Sequence, residues 1–330
     1  MRRREFIAGA GAAAAWPAIA RAQQPAGLPH IGILDPNSAG GYADTRFWSA
    51  FRDEMARRGH IDGKTIVFDY RWAGNQGGRL AGLATELLGL RARVIVATST
   101  PAIIAARSVT SEVPIIGVLM ADPVGSGFAQ SLARPGGNIT GLSTLSAELS
   151  AKRLELLSEI VPSLSRAGMV WDQNNPSFAL TVRHTEAAAR SLGMALEVHG
   201  VHRIEELRAA LSELERANSQ ALVAALPAGS ARFGGDAGLV AAIAEHRLPA
   251  AYSDLDFVHN GGLVSYGPNY VNLFRRAALY ADKILKGARP AELPIEEPNV
   301  FVLGVNLKTA KELGVAVPRS VLIRADEVVE

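Results

Sequence analysis

Two successive runs of alternating strands and helices predict an α/β protein of two doubly wound, parallel-sheet lobes. Three observations carry this prediction. Short apolar, β-branched runs alternate with helical stretches of 10–20 residues from residue 28 onward. The strand runs are continuously apolar, as strands buried on both faces must be. The pattern stops at the turn cluster Arg134-Pro135-Gly136-Gly137-Asn138 and then restarts.

In the first unit the strands are His30–Leu34, Thr65–Phe68, Val94–Ala97 and Ile115–Leu119. Helices are expected from about Ala43 to Arg58, near Arg79–Leu90, and from Pro101 to Val109. Ile139-Thr140-Gly141 reads as the first crossing to the second unit. There, Lys152–Ile160 is helical, with Leu154, Leu157 and Ile160 on one face. Ala167–Trp171, Leu196–Val201 and Ala221–Ala225 are strands, separated by helices at Phe178–Leu192 and Glu205–Ala217. A helix near Leu239–His246, the short runs Pro249–Tyr252 and Gly262–Ser265, and a long helix Tyr270–Lys286 follow. The proline-rich tract from Pro290 to Pro298 is another expected crossing.

The composition fits a globular chain: 330 residues, 48% hydrophobic and 20% charged. Cysteine is absent, which excludes disulfides, thiolate metal sites, a cysteine nucleophile and a lipidated N-terminal cysteine. Residues 1–22 read as an export signal. Arg2, Arg3 and Arg4 precede an alanine-rich apolar stretch, and Ala20-Arg21-Ala22 supplies an A-x-A cleavage site. Arg3-Arg4-Glu5-Phe6-Ile7 resembles a twin-arginine signal. Removing this segment leaves 30 basic against 31 acidic residues, so the mature chain has no basic surplus to attract nucleic acid. Gly9–Ala14 fits a loose dinucleotide-binding pattern, but no strand precedes it and it lies in the cleaved segment.

Catalytic motifs are scarce. H-E-x-x-H and G-x-S-x-G are both missing, and Gly63-Lys64-Thr65 lacks the earlier glycine of a phosphate loop. His199 and His202 form H-x-x-H without an evident carboxylate partner, and are expected at a strand end or loop. Ligands of open α/β sheets bind beyond the carboxyl ends of the strands. The residues there are Asp35 and Ser38 with Tyr42, Thr98-Ser99-Thr100 before Pro101, and Asp122. In the second unit they are Asn175 and Ser177, Asp254, Tyr266 and Tyr270. Hydroxyls at a helix start suit a carboxylate, buried acids suit an ammonium, and tyrosines suit a flat solute.

Several motifs together resemble a known family. They include Tyr70-Arg71-Trp72, Thr98–Ala102, Asp122-Pro123-Val124, Arg134–Gly141 and Lys152–Leu157. Ser265–Tyr270, Val305–Lys311 and Arg324–Val328 extend the match over nearly the whole chain. The order is similar to ABC-transporter substrate-binding proteins of the type I periplasmic binding fold, in the branch related to tryptophan and aromatic amino-acid import. The resemblance implies two lobes joined by three crossing strands, at residues 23–140 with about 267–297, and 141–266 with about 298–330. It implies a periplasmic monomer that binds a small polar or aromatic solute, an amino acid or related compound, and delivers it to an inner-membrane permease. No enzyme activity, cofactor or metal is implied. By analogy the Thr98–Thr100 loop holds a carboxylate, and Asp122 or Asp254 an ammonium. Phe178 and the glycine-rich Gly229–Gly238 depart from the family pattern. The alternatives are a binding protein that presents its ligand to a membrane sensor, and an exported hydrolase using Ser99, His184 and Asp122.

Overall fold

The computed structural model describes residues 27–39 and 46–330. The export signal, Tyr42 and the expected helix start near Ala43 lie outside the described residues. The first sheet holds β1 (His30–Asp35), β2 (Val67–Trp72), β3 (Val94–Thr98), β4 (Ile115–Met120) and β5 (Ile139–Ser143). Their order is β2-β1-β3-β4-β5, all parallel. Both faces are covered, and alternate residues show it. On β1, Ile31 and Ile33 enter one core while Leu34 enters the other; on β3, Val94 and Val96 face away from Ile95 and Ala97.

One of these cores is aromatic. Helix α1 (Arg46–Arg57) buries Phe47, Trp48, Phe51 and Met55 against the sheet. Trp48 meets Phe274 edge-on, with ring centroids 5.0 Å apart. The other core is covered by α2 (Leu80–Gly89) and α3 (Ser99–Val109). Strand β2, at the sheet edge, overlaps the expected Thr65–Phe68 only at Val67 and Phe68 and runs on to Trp72. Phe68, Tyr70 and Trp72 form a ladder on one face, and Asp69 and Arg71 face the other way.

The second sheet contains β6 (Arg166–Asp172), β7 (Ala195–Val201), β8 (Ala221–Ala225), β9 (Ala250–Tyr252), β10 (Val264–Pro268), β11 (Phe301–Asn306) and β12 (Glu327–Val329). Their order is β12-β11-β10-β9-β8-β6-β7. Here the all-parallel expectation is corrected: β10 and β11 pair antiparallel. The reversal follows from chain direction, since β11 returns from the first lobe. The flanking helices are α4 (Ser146–Ile160), α5 (Phe178–Ser191), α6 (Ile204–Arg216), α7 (Gly235–Ala244) and the short α8 (Leu255–His259). Helix α4 starts six residues before the expected Lys152, and α7 begins and ends earlier than expected. Helix α9 (Tyr270–Leu285) follows β10 but packs on α1 of the first lobe. Helices α10 (Leu307–Leu313) and α11 (Arg319–Arg324) complete the second.

The chain thus passes between the lobes three times: after β5, between β10 and α9, and along the tract that leads into β11. The third passage is tied to the first. Thr140 Oγ1 donates to the Leu293 carbonyl at 2.7 Å, and Glu296 N donates to Gly141 O at 2.9 Å. Gly141 has φ +138°, and a Cβ there would fall 2.0 Å from Gly117 O. Only glycine fits this approach of β5 to β4.

Candidate functional site

The carboxyl ends of both sheets face one cavity of about 340 Å³. Its size suits a small molecule. Phe47, Leu80, Leu119, Phe178, Leu226 and Tyr270 give it apolar walls. Leu119 enters through an irregularity in β4: the register slips between Gly117 and Met120, and Leu119 has φ +64°. Such a bulge re-aims a side chain. Ser99, also lining the cavity, holds φ +62°.

The Asp35 carboxylate is fully buried and does not line the cavity. It accepts from Asn37 N at 2.9 Å, Asn37 Nδ2 at 3.0 Å, Trp48 Nε1 at 3.2 Å and Thr98 Oγ1 at 2.8 Å. Burial pushes its pKa up to about 6 against these four donors. Asp35 therefore orients Asn37 and Thr98, which do line the cavity. Helix α3 starts at Ser99, two residues before the expected Pro101, and the Thr98 hydroxyl makes no capping bond to it. Ser38 Oγ accepts from Asn75 Nδ2 at 3.0 Å.

Thr100 and Ser177 meet each other between the lobes, with hydroxyl oxygens 3.0 Å apart. Ser177 Oγ also contacts Asn175 Oδ1 at 2.6 Å, and it makes no capping bond to α5. Asn175 itself lines the cavity. A second link between the lobes joins Arg46 of α1 to Asp254 at 2.9 Å and Asp256 at 3.1 Å.

The expected ammonium partners are engaged elsewhere. Asp122 lies outside the cavity lining, where its Oδ1 accepts from Gly125 N at 2.7 Å and closes a turn. Asp254 is buried, caps α8 by accepting from Asp256 N, and pairs with Arg46. Burial pushes its pKa up to about 6. Tyr266 stacks on Phe301 in the second sheet and is not in the lining, while Tyr270 is. Burial pushes the Tyr270 hydroxyl up to about 12, so it stays a neutral hydrogen-bonding group. The residues of the alternative hydrolase set are not assembled: neither His184 nor Asp122 lines the cavity beside Ser99.

Three charged residues stand on the wall, and none of them is in the set expected from sequence. Arg153 of α4 is 3% exposed, and its Nε donates to Tyr266 O at 2.7 Å. No carboxylate among the described residues pairs with it, and its terminal nitrogens have no protein hydrogen bond there. Burial lowers its pKa to about 10, so it remains a cation at neutral pH. Asp172 and Arg232 form an ion pair at 2.8 Å, and Asp172 Oδ1 also accepts Asn174 N and Nδ2. Arg153 sits inside the Lys152–Leu157 motif, where its residue type gives no sign of burial. Phe178, noted as a departure from the family pattern, stands on the wall.

His199 and His202 do have acidic partners, contrary to expectation. His199 contacts Glu197 at 3.0 Å and Glu213 at 3.3 Å, and His202 contacts Glu206 at 3.0 Å. These acids come from the neighbouring strand position and from α6. Among the described residues no cluster of metal-ligating side chains is present.

Known proteins share this architecture. A family model described as ABC transporter substrate binding protein matches residues 42–329. A tyrosine-binding protein of Clostridioides difficile strain R20291 is 26% identical over 272 residues, covering 80% of this chain and 75% of that one. The structure of an ABC domain from Streptococcus pneumonia in complex with L-Trp superposes with a TM-score of 0.82 at 24% identity, over 92% of this chain and 100% of that one. A ligand-free, open substrate-binding protein from Clostridium difficile gives 0.65 at 23% identity, over 92% and 99%. The two-sheet fold with its inter-lobe cavity and the match across residues 42–329 agree. This chain belongs to the ABC transporter substrate-binding protein family, whose members bind solutes rather than transform them.

Proposed function

We propose that this protein is the exported solute receptor of an ABC importer, and that its cleft takes a compact aromatic solute carrying a carboxylate. Aromatic amino acids and their near relatives are the first such solutes to test. The observation that carries this reading is Arg153, a buried cation without a carboxylate partner among the described residues, on the wall of a cavity that also presents Phe47, Phe178 and Tyr270. Such a charge calls for an anion, and a guanidinium matches a carboxylate in geometry. The start of α3 at Ser99 adds backbone N–H groups on the same cavity. The tyrosine-binding and L-Trp-bound relatives support an aromatic solute.

Closure follows the same reading. The Thr100–Ser177 and Arg46–Asp254 contacts join the two lobes across the cleft. Lobes at 23–140 with 267–297, and 141–266 with 298–330, would rotate about the three crossings. Export rests on the arginine-led segment 1–22, and delivery to an inner-membrane permease as a monomer completes the proposal. A thermal-shift screen of protein refolded to remove carried-over solute tests it, using amino acids, aromatic acids, sugars and nucleosides. Stabilisation confined to aromatic carboxylates supports the reading. Stabilisation by sugars or nucleosides alone refutes it.

A further inference from the structure

We infer that the cleft selects an aromatic carboxylic acid without an α-ammonium group over the corresponding amino acid. This inference rests on the proposed reading of the cleft as an aromatic-carboxylate site, and it concerns the charge at the solute's other polar group.

An amino acid brings one anion and one cation into the cavity. The anion has Arg153. The cation needs an anionic acceptor on the cavity wall, and the acids at the strand ends are turned to other partners or lie outside the described lining. Asp35 takes four donors and is walled off from the cavity. Asp122 closes its own turn through Gly125 N. Asp254 is bound to Arg46 and to Asp256 N. Asp172 is the one carboxylate among the described lining residues. Its Oδ2 is held by Arg232, and its Oδ1 takes two bonds from Asn174.

The ionised groups of the described lining are therefore Arg153, Arg232 and Asp172, a net charge of +1. A monoanion brings the described lining to neutrality. A zwitterion leaves the +1 in place and sets an ammonium among two guanidinium groups. Burying an ammonium without an anionic partner is heavily unfavourable, and like charges add to the penalty. The neutral polar lining includes Asn37, Asn75 and Asn175, whose amide groups suit a ring hydroxyl or indole N–H.

The test is titration calorimetry on the refolded wild-type protein with matched pairs. The pairs are 3-phenylpropionate against L-phenylalanine, 3-(4-hydroxyphenyl)propionate against L-tyrosine, and indole-3-propionate against L-tryptophan. Phenethylamine and tryptamine, which keep the ammonium and lack the carboxylate, complete the set. The expected result is that at least one acid binds tenfold or more tightly than its amino acid, with no heat from the amines. Amino acids that bind as tightly as their acids, or more tightly, overturn this inference and leave the aromatic-carboxylate reading standing. Failure of acids and amino acids alike overturns both. Because acid and amino acid are compared on one unaltered protein, shown folded by circular dichroism, no folding defect can mimic a preference between them.

Discussion

Asp35 and Asp172 occupy matching places in the two lobes. Each ends a strand, and each accepts both the backbone N–H and the side-chain Nδ2 of the asparagine two residues on, Asn37 and Asn174. Both asparagines line the cavity. The two carboxylates differ in what completes them: Trp48 and Thr98 for Asp35, Arg232 for Asp172.

Asp35, which has no cationic partner among its donors, carries a pH dependence. Asp35 is ionised at neutral pH without a cationic partner, with a folded pKa of about 6 against an ordinary 3.8. The folded state then binds more protons than the unfolded state between pH 4 and 6, so Asp35 lowers stability as pH rises through that window. Its contribution spans up to about 3 kcal/mol. Urea denaturation of wild type and Asp35→Asn at pH 4 and pH 7 measures it. The wild type should gain relative to the variant at pH 4; a pH-independent difference would contradict the assignment.

Asp172 needs its arginine. Arg232→Met should destabilise the protein by about 2 kcal/mol, because it strands a buried carboxylate. The double variant Arg232→Met with Asp172→Asn should recover part of that loss. Denaturation midpoints of the two single variants and the double variant provide the cycle.

The Arg46–Asp254 link concerns closure rather than folding. Arg46 is partly exposed and Asp254 keeps its bond from Asp256 N, so Arg46→Met should lower the unfolding midpoint less than Arg232→Met does. It should weaken solute binding several-fold, since affinity scales with the population of the closed state. Small-angle scattering of the solute-loaded variant should show a larger radius of gyration than the wild type.

Gly141→Ala should destabilise strongly, by about 3 kcal/mol or more, through its φ and the clash with Gly117 O. Gly137→Ala is the control, for a Cβ there meets nothing within 4 Å. Equal midpoints for the two variants would refute the close approach.

The strand–helix alternation was legible because buried parallel strands and amphipathic helices leave strong periodic signals. The region after Pro298 was not read as elements: β11, α10, α11 and β12 are short, and β11 reverses direction. The tips were found by rule, yet their chemistry was read too locally. Asp122 and Asp254 look available in sequence because Gly125 N and Arg46, which engage them, are invisible without the fold. The recurring Asp-x-Asn at Asp35 and Asp172 was the one signal that could have marked both carboxylates as supports. Arg153 had none, since its exposure is decided by how α4 packs under Tyr266.

The most direct test is the affinity of the tightest aromatic carboxylate from the screen for wild type and for Arg153→Lys and Arg153→Gln, each shown folded by circular dichroism. Loss of the fork to a buried carboxylate should weaken binding about tenfold or more in both variants, with Gln the weaker binder. Unchanged affinity in both variants would contradict Arg153 as the group that reads the solute.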